Sequence, residues 1–489
     1  MKKISSKLIL AIIFIVSIIF QLFFSLSTEN FSSDDAYLNL RLTQHISENK
    51  AHLNYDNLSY GGRELIYPVL FYYLFALLSF VPFAFKLLPI IFSSLIILIV
   101  YLISFEFTKD ERVSLLASFI SAFIPVYFSL TLNKFSIFSL AIPIFFFMLY
   151  CFIKMDQERK YLDYFVMFSF ILPLLHPIAF LIPISFIFYL ILTTTEGIEV
   201  SKLKKEAIVF SIFLIILIQF ILYKKAFLNY GFSVIWQNIP KLILDNYFSN
   251  INIFKAIIGL GILPLIYGLA GVVYSYFKSK KDSFFLINGV LLGVFLLLIL
   301  RLININLGLA FLGISLTILS AVSLSRYFAY LKITKFQRFE NYILLGIVLA
   351  IIILSVFPSF LTSRSIIKST RADDDTSLFV QIREKTPPGS TILAPLEVGH
   401  LITYHGKRKN VIDSNFLMAQ NSEQRYLDVM EIYTTPFEIE ALELMKKYRV
   451  DYMIINEKIK EIYKIKEVSY IKDEKCFKEV FNNVYEILC

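Results

Sequence analysis

The sequence predicts a polytopic α-helical membrane protein of about eleven transmembrane helices, followed by a small α/β domain. Three observations carry that expectation. Hydrophobic residues make up 57% of the 489 and charged residues only 17%, whereas soluble domains carry about 25% charged residues. An ordinary cytosolic enzyme is thereby excluded, and so is a disordered chain, which needs low hydrophobicity and high charge. Apolar runs able to cross about 30 Å of hydrocarbon recur at eleven places. The composition then changes near residue 362: residues 1–362 hold 28 Lys/Arg and 18 Asp/Glu, and the much shorter 363–489 holds 19 and 20. A transmembrane domain over 1–362 and a soluble domain over 363–489 follow.

The apolar runs lie at roughly 8–26, 87–106, 113–131, 135–153, 161–175, 178–194, 207–222, 255–277, 284–300, 305–323 and 342–360. The first follows Lys2, Lys3 and Lys7 as a secretory signal would. Further spans behind it and the lack of an A-x-A-like site make it an uncleaved anchor. The segment Tyr67–Phe85 is apolar but holds Pro68 and Pro82. Charge bias decides whether it crosses. If it does not, the N-terminus and the loops 109–112, 154–160, 202–206, 278–282 and 326–340 share one side and hold 18 Lys/Arg, against 10 on the other side. The excess of Lys/Arg in cytoplasmic loops then places the N-terminus inside a cell membrane. Two long loops, 27–86 and 223–255, and the C-terminal domain lie outside the cytoplasm.

The formal charge of +9 belongs to the membrane part, which points to anionic lipid or phosphate partners and not to nucleic acid. Three Cys give no disulfide framework and no paired Cys-x-x-Cys zinc site. The single Trp leaves Tyr and Phe to mark the membrane interfaces, where Trp is usual. In the tail, helical patterns at Thr376–Lys385, Val398–Tyr404, 421–433 and 437–448 alternate with strand patterns at Thr391–Pro395, Val411–Asp413 and Asp451–Asn456. That order implies a mainly parallel sheet. Ligand groups then sit beyond the strand C-terminal ends, at Glu397–His400 and Asp413–Asn415.

The first long loop opens with Ser33-Asp34-Asp35-Ala36-Tyr37. Adjacent carboxylates just beyond a span suit a hard divalent cation or a general base; a solvated helix start gives the same pattern. Tyr60-Gly61-Gly62-Arg63 permits a tight turn, with Arg63 placed to pair with an anion. Arg301 ends a span, where ionisable residues are often functional, although snorkelling accounts for it equally. His176 occupies a tight hairpin, a common structural position.

These residues, in this order, resemble the catalytic subunit of the archaeal and bacterial oligosaccharyltransferases, in the GT-C superfamily of membrane glycosyltransferases. The resemblance rests on SDDAYLNLRLTQHI and NYDNLSYGGRE in the first loop, on Arg301, and on the stretch Pro387–Asn415. In that last stretch G-H-x-I-T-Y-x-G-x-R-x-x-V-x-D-x-N follows the family pattern. The resemblance implies a GT-C fold with a non-spanning helix after the first loop, and a polyprenyl-phosphate- or diphosphate-linked sugar donor. It also implies a divalent cation, Mg or Mn, with Asp35 as metal ligand and acceptor-orienting acid and Arg301 on the donor phosphate.

The departures are specific. Pro395-Leu396-Glu397-Val398-Gly399 stands where the family has Trp-Trp-Asp-Tyr-Gly. A site built to bind a hydroxyl loses discrimination without its donors. Asn133-Lys134-Phe135-Ser136 stands where the family has its second acidic motif, which leaves Asp35, Asp34 and His176 as a thin metal set. Lys134 takes the place of the metal's charge in this reading. The loop 223–255 offers Tyr247, Phe248, Asn250 and Asn252 but no Glu.

The sequence thus supports a glycosyltransferase acting on a protein or glycan acceptor outside the cytoplasm, and not on ordinary sequons. Asp35, Asp34 and Lys134 are the catalytic candidates, Arg301 and Arg63 the donor-phosphate candidates, and Glu397, Gly399 and His400 the acceptor candidates. The rival reading is a non-catalytic scaffold or lipid-glycan-binding protein of the same fold. No inverted repeat or pair of broken helices points to a transporter.

Overall fold

A computed structural model describes residues 5–81, 83–249, 252–278, 281–372 and 376–489. Lys2, Lys3, Asn250 and Lys280, which entered the reading of the loops above, lie outside the described residues.

Among the described residues, seven helices are long and apolar enough to cross a membrane: Ser6–Ser25, Ala84–Thr108, Pro177–Thr195, Lys202–Ser249, Asp282–Ile299, Ile305–Lys332 and Lys335–Thr370. The expected runs 113–131 and 255–277 are each broken. Glu111–Ser121 and Pro125–Thr131 meet at 54°, and Ile253–Leu260 and Ile262–Phe277 at 80°. Pro125 opens the second half of the first pair, where its missing N–H costs nothing. Gly261 ends the first half of the second. Two broken helices are therefore present where the sequence suggested none. Phe138–Lys154 and Arg159–Leu175 have 17 residues each, about 25 Å at 1.5 Å per residue. The structure thus gives seven to nine spans by length and composition, against the eleven expected. The protein is a multi-pass helical membrane protein. Its last long helical stretch ends with Phe357–Ala372, past the compositional boundary at 362.

The segment after the first loop does not cross. Its helix, Leu70–Leu77, has eight residues, about 12 Å, far less than the hydrocarbon thickness. It is held by rings instead: Phe71 and Phe75 are buried and pack on Phe135 with centroids 5.1 and 4.7 Å away.

Before it, Asp34–Asn49 forms a helix with Asp34 and Asp35 in its first turn, where carboxylates favour the helix dipole. A two-stranded hairpin follows, β1 (Tyr55–Asp56) against β2 (Arg63–Glu64). Arg41 of the helix is ion-paired in the interior with Asp56 of the hairpin, which fixes the hairpin's angle to the helix. Tyr60, Gly61 and Gly62 at its tip have φ of 54°, 76° and 115°; the two glycines supply left-handed turns that a Cβ would strain.

The tail contains a five-stranded sheet in the order β4-β3-β5-β7-β6: β3 (Thr391–Leu393), β4 (Lys409–Asn410), β5 (Tyr452–Ile454), β6 (Phe477–Phe481) and β7 (Val484–Ile487). The β3 strand is parallel to both β4 and β5, as expected, but β7 and β6 are antiparallel. That last hairpin turns through Asn482 and Asn483, both at positive φ, a residue type that favours such turns. Cys476 and Cys489 flank it and form a disulfide. Three cysteines give no disulfide framework, but two of them are brought together here by strand pairing, not by any sequence spacing pattern.

The tail is locked onto the first loop. The hairpin tip enters the tail core, where Tyr60 is buried among Ile392, Leu393 and Val411. Tyr60 Oη donates to the Asp413 carbonyl at 2.6 Å and Ser59 Oγ to Asp413 Oδ2 at 2.5 Å. Arg63 is ion-paired with Asp413 at 2.9 Å, both side chains buried. Removing one partner of such a pair strands the other charge. Arg63→Met is expected to lower the stability of the detergent-solubilised chain by about 3–5 kcal/mol, read by thermal unfolding at neutral pH. Despite burial, Arg63, Ser59 and Asn410 hold the Asp413 pKa below its ordinary value. The stabilisation from a depressed carboxyl is therefore present above about pH 4 and is lost as pH falls through the native value. The gap between wild type and Arg63→Met should narrow on that side and no other.

Candidate active site at the loop–tail junction

The two carboxylates that open the first loop have different fates. Asp34 caps a helix, although not the one it begins. Its Oδ2 accepts from His400 N at 3.0 Å and its Oδ1 from Leu401 N at 2.9 Å, the free N–H groups that open the tail's helical stretch Gly399–Gly406. Burial raises the Asp34 pKa well above the usual carboxylate range; Asp35 and Asp413 add to this, and the two N–H donors oppose it. Asp35 is exposed, and its Oδ1 accepts from Ser414 Oγ at 2.6 Å.

Ser414 sets the neighbouring imidazole. Its single proton goes to Asp35, so it accepts from His400 Nε2, 3.2 Å away, which fixes the neutral ring as the Nε2–H tautomer. His400 Nδ1 is buried without a partner. Burial lowers the His400 pKa, with Asp413 and Asp35 opposing. His400 is fully buried and so does not face an acceptor as expected; it acts through Ser414.

Lys134 is delivered by the turn between Pro125–Thr131 and Phe138–Lys154. Asn133 stands at positive φ and is stitched to the first loop: its Nδ2 donates to the Asn30 carbonyl at 3.0 Å, and Ser32 N donates to its carbonyl at 3.0 Å. Asn39 Nδ2 donates to the Phe135 carbonyl at 2.8 Å. Lys134 thereby sits within electrostatic reach of Asp35. Burial lowers its pKa and the Asp35 charge pulls it back up.

Glu397 is exposed and lines a cavity of about 350 Å³ with Asp34, Tyr37, Phe379, Asn456 and Lys458. Gly399 serves packing: a Cβ there would lie 2.4 Å from the Ile412 carbonyl oxygen. Arg63, expected at a donor phosphate, is committed to Asp413 and buried, so it is unavailable to a ligand.

Arg301 is ion-paired with Asp245 and lies 5.7 Å over the Phe248 ring, both on the helix Lys241–Ser249. Ile243 of that helix is buried in the core cluster that holds Tyr60 and Val411, so one short helix links Arg301 to the loop–tail junction. Trp236 Nε1 donates to the Leu300 carbonyl at 3.0 Å, closing the helix end before Arg301. Asp245 and Ser414 were not singled out in the sequence. The D-S-N run beyond a strand end was the signal for Ser414, whereas an isolated Asp in a loop gives none for Asp245.

The donor set offers a divalent cation little: Mg²⁺ is held through one or two carboxylates with water and substrate phosphates, and of the two aspartates here Asp35 is the exposed one. Asp34 is occupied by two N–H groups, and an ammonium stands near Asp35. His176 Nδ1 accepts from Ile178 N at 3.0 Å and its ring packs 4.9 Å from Phe138. Among the described residues no hydrogen bond joins His176 to either aspartate. Glu438, Asp473 and Cys476 come within 4.8 Å of one another, but the Cys476 sulfur is in the disulfide and offers no thiolate.

The sequence matches no family model and no curated protein. Solved structures resemble it closely in shape. The apo oligosaccharyltransferase of Archaeoglobus fulgidus superposes with a TM-score of 0.70 at 14% identity, covering 97% of this chain and 73% of that one. The fold is GT-C. ArnT from Cupriavidus metallidurans in the apo state, a second GT-C protein, gives 0.58 at 10% identity over 98% of each chain. The A. fulgidus enzyme AglB in complex with an inhibitory peptide and a dolichol-phosphate gives 0.65 at 15%, covering 91% and 69%. The A. fulgidus enzyme has also been solved with Zn and sulfate, at 0.63 and 15%, covering 95% and 71%.

Both acids reach the tail, Asp34 at the start of the Gly399–Gly406 helix and Asp35 at Ser414. Gly399→Ala drives a methyl into backbone that cannot yield. The variant is expected to loosen the tail, seen as faster limited proteolysis of the tail and a lower unfolding midpoint.

Proposed function

We propose that the protein transfers a glycosyl group from a polyprenyl-phosphate- or diphosphate-linked donor to a protein or glycan acceptor outside the cytoplasm. The observation that carries this reading is Asp35, an exposed carboxylate oriented by the Ser414 hydroxyl with the Lys134 ammonium in electrostatic reach. In the proposed step an acceptor X–H loses its proton to Asp35 as X bonds to the sugar anomeric carbon. The bond from that carbon to the phosphate oxygen breaks, and the electron pair leaves with the polyprenyl phosphate. Charge grows on that leaving group, and fixed cations at its position lower the barrier. Lys134 is assigned that role, Arg301 the binding of the donor phosphate, and Glu397 with its cavity the acceptor side.

The neighbours support the donor class: one was solved with a dolichol-phosphate and ArnT with undecaprenyl phosphate. In this reading each bent pair and each 17-residue helix crosses along with the seven long helices, and an odd number of crossings, eleven, puts the chain ends on opposite sides. The basic loops favour the N-terminus inside. The Cys476–Cys489 disulfide favours an oxidising compartment for the tail.

The test is transfer in vitro from a polyprenyl-phosphate-linked sugar. Asp35→Asn is expected to lower the rate by at least about 10²-fold, the scale of a lost general base. Equal product from both proteins would remove the catalytic reading and leave the lipid-glycan-binding one. Lys134→Met is expected to lower kcat by about 10²–10³-fold, as loss of a group stabilising the transition-state charge does. A chelator should leave wild-type transfer unchanged. Inhibition by the chelator with an active Lys134→Met would assign the charge to a metal instead.

A further inference from the structure

The bundle ends away from the tail in a second cavity, of about 290 Å³, between the ends of several spans. Thr108 closes the helix Ala84–Thr108, Asp282 opens Asp282–Ile299, and Arg326 lies in the last turns of Ile305–Lys332. The opposite ends of the first two helices, Ala84 and Ile299, face the first loop and Arg301, so this cavity is at the far membrane edge.

Two cations converge on it. The Arg326 guanidinium lies 4.7 Å over the Tyr274 ring, a stacking that orients its planar fork. Among the described residues it has no ion pair. Lys281 Nζ lies 6.0 Å over the Phe284 ring and donates to the Phe107 carbonyl at 3.5 Å. Among the described residues no carboxylate lines the cavity. The Ser325 side chain supplies a hydroxyl to the lining. On the two helices that carry Tyr274 and Arg326, the nearby Phe277, Tyr327 and Tyr330 are exposed, the aromatic signature of a bilayer's headgroup layer.

We propose that this cavity is a headgroup site for an anionic phospholipid, with Arg326 and Lys281 binding the phosphate. The chemistry required is a phosphate anion attached to an apolar body: the cations and the Ser325 hydroxyl take the former, and the exposed aromatic side chains the latter. A soluble phosphate would satisfy the cations but make no use of the aromatic side chains. Basic pockets between helix ends suit such lipids.

The test uses the full chain in detergent, with bound phosphatidylglycerol and phosphatidylcholine measured by native mass spectrometry. Wild type is expected to retain phosphatidylglycerol preferentially. Arg326→Gln and Lys281→Gln should each weaken retention about fivefold, with unchanged unfolding midpoints. Lys478→Gln, an equal change of charge in the tail, should leave retention as it was. Millimolar inorganic phosphate should not displace the lipid. Undiminished retention in the Arg326→Gln/Lys281→Gln double variant would overturn the site, as would an equal loss in Lys478→Gln. Displacement by inorganic phosphate would show a soluble-anion site and overturn the lipid assignment.

Discussion

Asp413 is the residue on which the arrangement depends. Its buried carboxylate takes Arg63 and Ser59 from the first loop and Asn410 from its own domain, and His400 stands 3.8 Å away. A charge so placed is tolerated only if all its acceptor sites are filled. The requirement runs both ways: the hairpin tip docks because Asp413 needs its donors, and Asp413 stays ionised because the tip is docked. The Asn410 amide, shared between Asp413 Oδ2 and the Gly399 carbonyl, carries the same constraint into the Gly399–Gly406 helix. Asp34 closes the circuit from the membrane side by capping that helix.

The consequence for chemistry is a division of labour between adjacent acids. One carboxylate is consumed in holding two parts of the molecule together, and its neighbour is left exposed. The pair therefore cannot act as a bidentate metal clamp without undoing the cap. Lys134 is brought in by a turn hydrogen-bonded to the same loop and lies within electrostatic reach of Asp35. Ser414 holds Asp35 and meets His400 behind it, while Glu397 lines the cavity that Asp34 also lines. Arg301, at the end of the bundle helix Asp282–Ile299, is paired with Asp245 on the short helix Lys241–Ser249. Its pair with Asp245 is exposed on both sides and contributes little to stability, which leaves the guanidinium free to exchange partners.

Much of this was legible from residue patterns. The helix Thr376–Lys385, the strands at Thr391 and Tyr452 and the non-crossing nature of Leu70–Leu77 follow from periodicity, proline placement and charge bias, which are local properties. The β6–β7 hairpin was missed because its exposed strands alternate weakly and its turn is Asn-Asn without glycine. The breaks near Pro125 and at Gly261 were missed because hydropathy reports how apolar a segment is and not whether it is straight. Arg63 was misread because an arginine beside a glycine turn looks the same whether its partner is a phosphate or a buried aspartate.

The sequence by itself determined the apolar spans, the change of composition near residue 362, the basic loops and the single tryptophan. These are statements about composition and order, and they need no knowledge of which residues meet. Tertiary structure alone decided which aspartate is free, that Arg63 is a latch, that His400 is buried behind Ser414, and that two cysteines pair. Each depends on contacts across a long separation in sequence, such as Asp34 with His400 or Ser59 with Asp413. A buried charge shows its partners only when the chain is folded around it.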